Sequence, residues 1–507
     1  MLAKVQSAAV LGLRCEKVEV EVDLGAGFPS FTIVGLPDAS VQEAKERMKS
    51  AIRNCGFDFP ATRRIVVNLA PADIHKEGPA YDLPMAMGVL LGSLEIDFNH
   101  EGSLFVGELA LDGTLRRTNG ILPIAIFARE QNIKTIYIPE ANAPEAGLVE
   151  GLEIIPARDL GQLLRHLLDQ EKITPFANVS FGSLLEKEVE SEFDMKYVRG
   201  QEYTKRALEI AASGGHNVLM SGPPGSGKTL LARTLPTILP QLTMEESLEV
   251  SKLYSVAGLL TTDRPLVTTR PFRTPHHSAS GASLVGGGRI PRPGEISLAH
   301  RGVLFLDEFP EFSRAVLENL RQPLEDGVIT ISRAQSTLSF PSRFILVASQ
   351  NPCPCGYASD PDKPCICSPM QISQYKKKIS GPLLDRIDLH VEVPRLKFQK
   401  LTEESEAESS VKIRERVEAA RERQRARFKG LSNQTNAEMG SKEIKKFCQV
   451  SDETMDLLRS AVTQMHLSAR AYHRILKVAR TIADLAGADE IATGHVAEAL
   501  QYRAKTE

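Results

Sequence analysis

The sequence has 507 residues, of which 42% are hydrophobic and 25% are charged, and its formal net charge is −3. This composition excludes wholesale disorder and predicts a globular protein of about three domains. The sequence contains no apolar run long enough to cross a bilayer and no signal-peptide pattern, so we expect a cytoplasmic protein without a membrane partner. The small net charge excludes a basic field over the whole surface, so any nucleic-acid surface must be a local patch.

The first 168 residues alternate apolar strands with helices, which predicts an α/β domain over 1–168. An amphipathic helix is expected at 40–54, after the N-cap-like Asp38. Further elements are expected at 17–22, 64–69, 103–107 and 135–139 (strands) and at 158–168 (a closing helix). Residues 169–195 are polar, acidic and without periodicity, which predicts a linker before a second α/β domain at 196–392.

A phosphate-binding loop opens the second domain. The run Gly222-Pro-Pro-Gly-Ser-Gly-Lys-Thr229 fits G-x-x-x-x-G-K-[ST], between a predicted strand at 217–220 and a predicted helix. Backbone N–H groups in such a loop curl around phosphate oxygens, the lysine reaches the β- and γ-phosphates, and the threonine ligates Mg²⁺. The alternative, a chance glycine-rich turn, leaves the order of strand, loop and helix unexplained. The predicted nucleotide ligands are Gly222, Pro223, Pro224, Gly225, Ser226, Gly227, Lys228 and Thr229.

Two carboxylates end a second apolar strand, at 303–306. We expect Asp307 beside Mg²⁺ and Glu308 where it polarises an attacking water. The alternative is a strand that happens to end in acids at a solvent edge. A third strand, at 344–349, is followed by Asn351, whose amide is suited to orienting that water, although asparagine is common in loops.

Four of the seven cysteines are clustered as C-x-C-x9-C-x-C, namely Cys353, Cys355, Cys365 and Cys367. Four thiolates can close a tetrahedral Zn²⁺ site, and such clustering favours a reducing compartment with a metal site over a disulfide framework. The spacing within each pair is tighter than in the common C-x2-C knuckle. Reduced thiols and a redox-sensitive pair therefore remain the alternatives.

From about residue 393 the chain consists mainly of helix formers, with a break near 430–440, which predicts a helical C-terminal domain over 393–507. The stretch 412–429 is rich in arginine and lysine. It can follow phosphates along a nucleic acid, but a mixed-charge run of this kind is more often a solvated helix face.

The second domain resembles the magnesium-chelatase-like branch of AAA+ ATPases. The segments 270–277, 286–289 and 292–296 look like the helix-2 insertion of that branch, and 329–339 looks like its pore hairpin, with a tip near Arg333. The resemblance implies an αβα core in which Asn351 is sensor 1, Arg386 the arginine finger given to a neighbouring subunit, and Arg470 sensor 2. Arg474 is the rival for sensor 2, and a surface ion pair with Asp385 or Asp388 is the alternative for Arg386. The arginines expected to contact DNA are Arg289, Arg292 and Arg333.

The first domain resembles the proteolytic domain of Lon proteases, an S5-like fold. The segments 76–84 and 107–113 carry the similarity. Ala80 stands where the serine nucleophile is expected, and Leu122 falls near the lysine position. Without a hydroxyl and a base there is no acyl-enzyme, so protease chemistry is expected to be missing.

This domain order resembles the bacterial YifB/ComM family over essentially the whole chain. The resemblance implies an oligomeric, typically hexameric, ATP-driven motor that binds single-stranded or branched DNA and promotes branch migration in recombination during natural transformation. Three alternatives remain open. They are a magnesium-chelatase-type metal-insertion motor, a protein unfoldase or chaperone without protease activity, and a nucleotide-gated binding module.

Overall fold

The computed structural model describes residues 2–93, 98–179, 182, 192–288, 292–332, 337–358, 360, 362–395, 407–431 and 433–503. The chain forms two compact units. The first unit comprises 1–188 and 243–268, and the second comprises 189–242 and 269–507. Residues 243–268 thus group with the N-terminal part, although they lie within the span 196–392 in sequence. In the described part of the chain, no helix has both the length and the apolar character needed to cross a membrane.

Short strands and helices alternate along most of the chain. The strands are β1 (Leu2–Leu11), β2 (Arg14–Gly25), β3 (Ser30–Val34), β4 (Arg64–Ala70), β5 (Ser103–Phe105), β6 (Glu108–Leu109), β7 (Leu115–Arg116), β8 (Thr135–Pro139), β9 (Glu153–Ala157), β10 (Val218–Ser221), β11 (Phe272–Arg273), β12 (Gly286–Gly287), β13 (Arg292–Pro293), β14 (Val303–Leu306), β15 (Val328–Ser332), β16 (Thr337–Pro341), β17 (Ile345–Gln350) and β18 (Leu389–Glu392).

The helices range from four to 18 residues in length. They are α1 (Ala39–Asn54), α2 (Asp82–Ser93), α3 (Ile121–Glu130), α4 (Ala143–Ala146), α5 (Leu160–Leu167), α6 (Glu202–Gly214), α7 (Lys228–Ile238), α8 (Met244–Ala257), α9 (Gly281–Val285), α10 (Glu295–Leu298), α11 (Arg314–Glu318), α12 (Arg321–Asp326), α13 (Pro369–Lys376), α14 (Gly381–Leu384), α15 (Ser410–Arg427), α16 (Ser441–Phe447), α17 (Asp452–Gln464), α18 (Ala469–Leu485) and α19 (Thr493–Gln501). Single 3₁₀ turns lie at Pro79–Tyr81, Glu140–Asn142, Met195–Tyr197, Phe309–Glu311 and Asn436–Glu438.

The first unit is built on a four-stranded sheet in the order β1-β2-β4-β3, accompanied by a three-stranded parallel sheet β5-β8-β9. Helix α1 begins as predicted, because Asp38 accepts a hydrogen bond from the Val41 N–H. Helix α2 is buried nearly all round and approaches the large sheet closely. A Cβ added to Gly88 would lie 2.5 Å from Val22, so only glycine permits this packing.

The second unit is built on a five-stranded parallel sheet in the order β11-β14-β17-β10-β18. The three predicted strands of this domain, at 217–220, 303–306 and 344–349, correspond to β10, β14 and β17. Their apolar side chains are buried on both sides of the sheet, as expected of parallel strands covered by helices. The polar residues that follow them therefore emerge together at one edge of the sheet.

The predicted hairpin is formed by β15 and β16, paired antiparallel from Val328–Pro341 to Ser332–Thr337. Its predicted tip at Arg333 lies outside the described residues. A shorter ribbon, β12 with β13, lies in the segment predicted as the helix-2 insertion. Of the predicted linker 169–195, the structure describes residues 169–179, 182 and 192–195.

The C-terminal residues form the helices α15 to α19, with the predicted break between α15 and α16. In α15 the arginines are used within the fold. Arg416 bonds Glu209 and Glu408, and Arg421 donates to the Ala212 carbonyl. Arg427 makes a two-pronged ion pair with the buried Asp484. These contacts favour a structural role for this basic helix over a nucleic-acid surface.

Candidate nucleotide and metal sites

The phosphate-binding loop connects β10 to α7 at the carboxyl edge of the parallel sheet. Gly225 and Gly227 have φ angles of +75° and +89°, and a Cβ at either would meet open space. Gly222 is required for a different reason, since its Cβ would lie 2.1 Å from the Val393 carbonyl oxygen. The loop is therefore held tightly at its first glycine and is open where phosphate oxygens would approach.

Lys228 is the buried cation of this loop. Its ammonium donates to the carbonyls of Gly222 (2.8 Å) and Pro223 (3.0 Å) and lies 3.4 Å from the Asn351 amide oxygen. Burial lowers the pKa of Lys228, while Asp307 and Glu308 act in the opposite direction. The predicted sensor-1 residue and the loop lysine are thus neighbours, as the sequence interpretation requires.

Thr229 and Asp307 meet across the sheet edge, with 3.0 Å between the threonine hydroxyl and one carboxylate oxygen. The other oxygen of Asp307 accepts hydrogen bonds from the Ser349 hydroxyl and from the Glu308 N–H (3.0 Å). Hydroxyl and carboxylate oxygens are the hard ligands that Mg²⁺ prefers. Ser349 comes from β17, between the two strands, and orients Asp307; sequence reasoning missed this residue.

Glu308 follows Asp307 in a left-handed conformation (φ +52°), which is uncommon for a residue with a side chain. Its carboxylate lies 3.6 Å from the His277 Nδ1. His277 also contacts Phe312 edge-on. In the sequence, His277 ends the segment 270–277, which is predicted as part of the helix-2 insertion. The link to Glu308 depends on β11 lying beside β14, which no local pattern reveals.

The residues at this edge fit a nucleoside triphosphate with Mg²⁺. The loop leaves space above two glycines, and a buried lysine, a hydroxyl and a carboxylate surround that space. The buried Ser226 hydroxyl has no hydrogen-bond partner in the described structure, as expected of a donor reserved for a ligand. Lys228 would meet the phosphates, and Thr229 with Asp307 would hold the metal.

Arg386 makes its contacts away from the phosphate loop. Its guanidinium pairs with Glu325 and donates to the Pro382 carbonyl (2.6 Å). Its own carbonyl accepts from the Asn217 side chain (2.9 Å), whose amide oxygen in turn accepts from the Leu346 N–H. The sequence offered an ion pair of Arg386 with Asp385 or Asp388 as the alternative. In the structure, the acid that pairs with Arg386 is Glu325 instead.

The two rivals for sensor 2 differ in their contacts. Arg474 donates to the carbonyls of Ile387 (2.6 Å) and Leu384 (3.2 Å), so it holds the chain around Arg386 in place. Arg470, one turn earlier on α18, is exposed. The arrangement favours Arg470 as the residue available to a ligand.

The four clustered cysteines lie together. All four sulfur atoms are within 4.8 Å of one another. The Cys353 sulfur lies 3.3 Å from that of Cys355 and 3.6 Å from that of Cys365, and the sulfurs of Cys355 and Cys365 are also 3.6 Å apart. The Cys355 N–H donates to the Cys367 sulfur. A tetrahedral site with Zn–S bonds of about 2.3 Å has sulfur–sulfur edges of about 3.8 Å, close to this spacing. A disulfide requires about 2.05 Å, so the arrangement is that of four separate thiols.

Of the three arginines predicted to contact DNA, the structure describes Arg292 only. It is exposed at the start of β13. Arg289 and Arg333 lie outside the described residues.

Three family models match the chain. "Magnesium chelatase, subunit ChlI" matches residues 194–401, "Subunit ChlI of Mg-chelatase" matches 20–142, and "Magnesium chelatase, subunit ChlI C-terminal" matches 407–503. Competence protein ComM of Haemophilus influenzae is 46% identical over 507 residues, which cover 99% of this chain and 97% of that protein. The chain belongs to the YifB/ComM family.

Other relatives place the YifB/ComM family beside the chelatases. The protein YifB of Escherichia coli is 42% identical over 511 residues, covering 99% of this chain and 97% of that protein. The 38 kDa subunit of magnesium chelatase from Cereibacter sphaeroides is 27% identical over 176 residues, which cover 32% of this chain and 53% of that protein. This chain is accordingly a magnesium-chelatase-like AAA+ protein, a family of ATPases that use ATP and Mg²⁺.

Proposed function

We propose that this protein is a cytoplasmic, hexameric ATP-hydrolysing motor that acts on single-stranded or branched DNA and drives branch migration during recombination in natural transformation. The observation that carries the proposal is the grouping of Lys228, Thr229, Asp307, Glu308 and Asn351 at one sheet edge, in a chain that is 46% identical over its length to a competence protein. The first supports the ATP chemistry, and the second supports the DNA context.

Each residue of the site has a defined task in this proposal. ATP with Mg²⁺ supplies an activated phosphoryl group when bound. Lys228 neutralises phosphate charge, and Thr229 and Asp307 hold the metal. Glu308 accepts the proton of the attacking water, and Asn351 orients that water. The His277 Nδ1 lies 3.6 Å from the Glu308 carboxylate, too far for a hydrogen bond, so this contact does not hold Glu308 away from the water.

Two arginines complete the site across a subunit boundary and through the C-terminal helices. Arg386 acts on the γ-phosphate of a neighbouring subunit, as an arginine finger does. The anchoring of its backbone by Asn217 and Arg474 supports this task, because a finger must be delivered from a fixed loop. Arg470 acts as sensor 2 from a helical lid spanning 393–507.

DNA contacts are assigned to the insertion and the hairpin. The task proposed for Arg289, Arg292 and Arg333 is to bind backbone phosphates in the channel of the ring, with little sequence preference. The exposure of Arg292 and the pairing of β15 with β16 support these positions. Such contacts weaken as the salt concentration rises.

The remaining assignments concern the division of the chain into domains and the cysteine cluster. Residues 1–168 form a Lon-like domain without protease chemistry, joined by the linker 169–195 to an ATPase core at 196–392. In support, Ala80 lies in a 3₁₀ turn and offers no hydroxyl, and Leu122 is fully buried and offers no base. The four clustered cysteines hold one structural Zn²⁺ ion.

One alternative is favoured by a specific observation. All three family models are described as parts of a magnesium-chelatase subunit, which supports a metal-insertion motor. Against it, the chelatase subunit cited above covers only 32% of this chain, whereas the competence protein covers 99%.

The experiment that separates these functions is steady-state ATP hydrolysis with different effectors. Four-way DNA junctions, single-stranded DNA, an unfolded protein and a porphyrin would be compared at one salt concentration. We expect DNA to stimulate turnover and the unfolded protein and porphyrin to have no effect. Stimulation by the porphyrin or by unfolded protein alone would replace the proposed function by the corresponding alternative.

A further inference from the structure

We infer that the cysteine cluster, once it holds a metal ion, braces the nucleotide site by fixing Asn351 and the phosphate loop, so that metal occupancy sets the rate of ATP turnover. This rests on the proposed ATPase function and adds a second ion, with a positioning task, to that site. Three contacts around the loop 351–375 carry the inference.

The first contact is the short connection along the chain. Cys353 is fully buried and follows Asn351 by two residues, directly after β17 ends at Gln350. The Asn351 amide oxygen lies 3.4 Å from the Lys228 ammonium. A metal that holds the Cys353 sulfur therefore restrains the backbone from which Asn351 reaches the phosphate-binding lysine.

The second contact joins the segment that carries the four cysteines, residues 353–367, to the phosphate loop. Gly356 donates its N–H to the Cys353 carbonyl (3.0 Å) and adopts φ +86°. A Cβ placed on Gly356 would lie 2.7 Å from Cδ of Pro224, a ring that cannot rotate away. The turn 353–356, which carries the first two cysteines, is thus packed directly against the phosphate loop.

The third contact closes the loop. Ser368, next to Cys367, caps α13, and the Asn351 backbone acts electrostatically on the Tyr375 hydroxyl near the end of that helix. The chain therefore leaves Asn351, passes the four thiols and returns to Asn351. A metal ion that fixes the four thiols therefore also restrains the backbone at Asn351 and the start of α13.

Few buried groups hold this loop in shape. Among the residues that the structure describes between 351 and 368, only Cys353, Gly356 and the side chain of Asp360 are buried. Asp360 accepts hydrogen bonds from the N–H groups of Asp362 and Lys363, which are local to the loop. A polar, proline-rich loop of this length cannot be ordered by hydrophobic burial, whereas a metal ion supplies the missing free energy on binding. Loss of the ion would release Asn351 and remove support from Pro224.

The test begins with purified full-length protein. Its metal content would be measured, the metal would be removed with a chelator under reducing conditions, and ATP turnover would be measured before removal, after removal and after addition of Zn²⁺ alone. We expect kcat to fall by about tenfold or more, as displaced catalytic groups generally cause, and to recover with Zn²⁺. Unchanged kcat after complete removal, or protein purified in reductant without bound metal yet fully active, would overturn the inference.

Substitution of the metal provides a readout that a remote structural site would not give. Co²⁺ in a four-thiolate site absorbs visible light, and its bands report the ligand geometry. Because the cluster packs on the phosphate loop, we expect ATP binding to shift these bands. A spectrum that ATP leaves unchanged at saturation would contradict the brace.

A matched pair of glycine variants tests the contact without touching the thiols. Gly356→Ala and Gly430→Ala impose the same left-handed strain (φ +86° and +83°), but only the first places a methyl group against Pro224. We expect Gly356→Ala to retain metal and to lower kcat, and Gly430→Ala to change neither. Equal kcat in both variants would contradict the inference that the cysteine cluster supports the phosphate loop.

Cys365→Ser, with Cys55→Ser outside the cluster as its control, should repeat the effect of metal removal.

The inference and the proposed function fail in different ways. Metal-loaded wild-type protein without any ATP hydrolysis would refute the proposed function itself. ATP hydrolysis that is robust but indifferent to the metal would refute the brace and leave the ATPase standing.

Discussion

The hydroxyl of Thr229 lies 3.0 Å from a carboxylate oxygen of Asp307, although 78 residues separate them in the chain. The parallel sheet brings them together, since β10 and β14 end at the same edge with β17 between them. Ser349, from β17, donates to the second oxygen of Asp307. The ends of three adjacent strands thus bring these oxygens into one corner, which we propose holds Mg²⁺.

Glu308→Gln should bind ATP with wild-type affinity and hydrolyse it at least about 100-fold more slowly, because an amide cannot take the proton from water. Glu311→Gln is the control, since Glu311 lies three residues away and pairs with Lys378 at the surface. Binding of a fluorescent ATP analogue and phosphate release would be measured. Normal turnover in Glu308→Gln would remove this residue as the base.

Arg386 and Lys228 should act in different subunits of one site. Lys228→Ala should lose ATP binding, and Arg386→Ala should bind ATP but lose several decades of turnover. An equal mixture should regain activity, because a Lys228→Ala subunit still supplies Arg386 to the intact loop of its neighbour. Random mixing completes about a quarter of the sites.

The mixing experiment requires subunit exchange, which dilution and re-assembly of the mixture would provide. A mixture as inactive as its two components would show that Arg386 does not act in trans. Arg474→Ala should behave differently, destabilising the fold, because it bonds the carbonyls of Leu384 and Ile387.

Asp484 should be among the most sensitive positions for stability. It is buried and accepts from Arg427, Arg480 and Asn436. Asp484→Ala would leave the buried guanidinium of Arg480 and the largely buried one of Arg427 without their carboxylate partner, which typically costs about 3–5 kcal/mol. Asp489→Ala is the control, since its side chain is 94% exposed and pairs with Arg423 at the surface. Chemical denaturation would be compared for both variants, and equal losses would contradict the assigned role of Asp484.

His390 should make the second unit less stable in mild acid. Burial lowers its pKa from 6.5 to about 4, and Arg474 acts in the same direction, while Asp388 opposes both. Below pH 6.5, His390 therefore binds a proton in the unfolded chain but not in the folded chain. The contribution of neutral His390 to the free energy of unfolding is fully present above pH 6.5. It is lost as the pH falls toward 4, by at most about 1.4 kcal/mol per pH unit.

The measurement for His390 is the free energy of unfolding between pH 4 and 7.5, for wild type and His390→Gln. The difference between the two curves should slope with pH in this window and flatten above it. A difference that is constant across the window would show that His390 does not titrate as described.

The sequence predicted the parts of the site that depend on local order. A strand, a glycine-rich loop and a helix in succession are sufficient to predict the phosphate loop. Likewise, an apolar strand that ends in two acids is sufficient to predict Asp307 and Glu308. In both cases the chemistry lies at the end of a strand whose burial can be recognised from its residues.

The contacts that the sequence did not predict are tertiary. The approach of His277 to Glu308 depends on which strand lies beside β14, and the packing of Gly356 on Pro224 depends on the path of an irregular loop. For the stretch 412–429 the sequence favoured a solvated helix face over a nucleic-acid surface. In the structure, Arg416 and Arg427 of this stretch are paired with acids from distant helices. Periodicity carries no information about such partners.

Branch migration on a mobile four-way DNA junction tests the central claim most directly. Wild-type protein and Glu308→Gln would be compared with and without ATP, and the separated duplex products would be quantified. We expect products that require both ATP and Glu308. Wild-type protein that hydrolyses ATP but yields no products, on any junction geometry and at low salt, would contradict it.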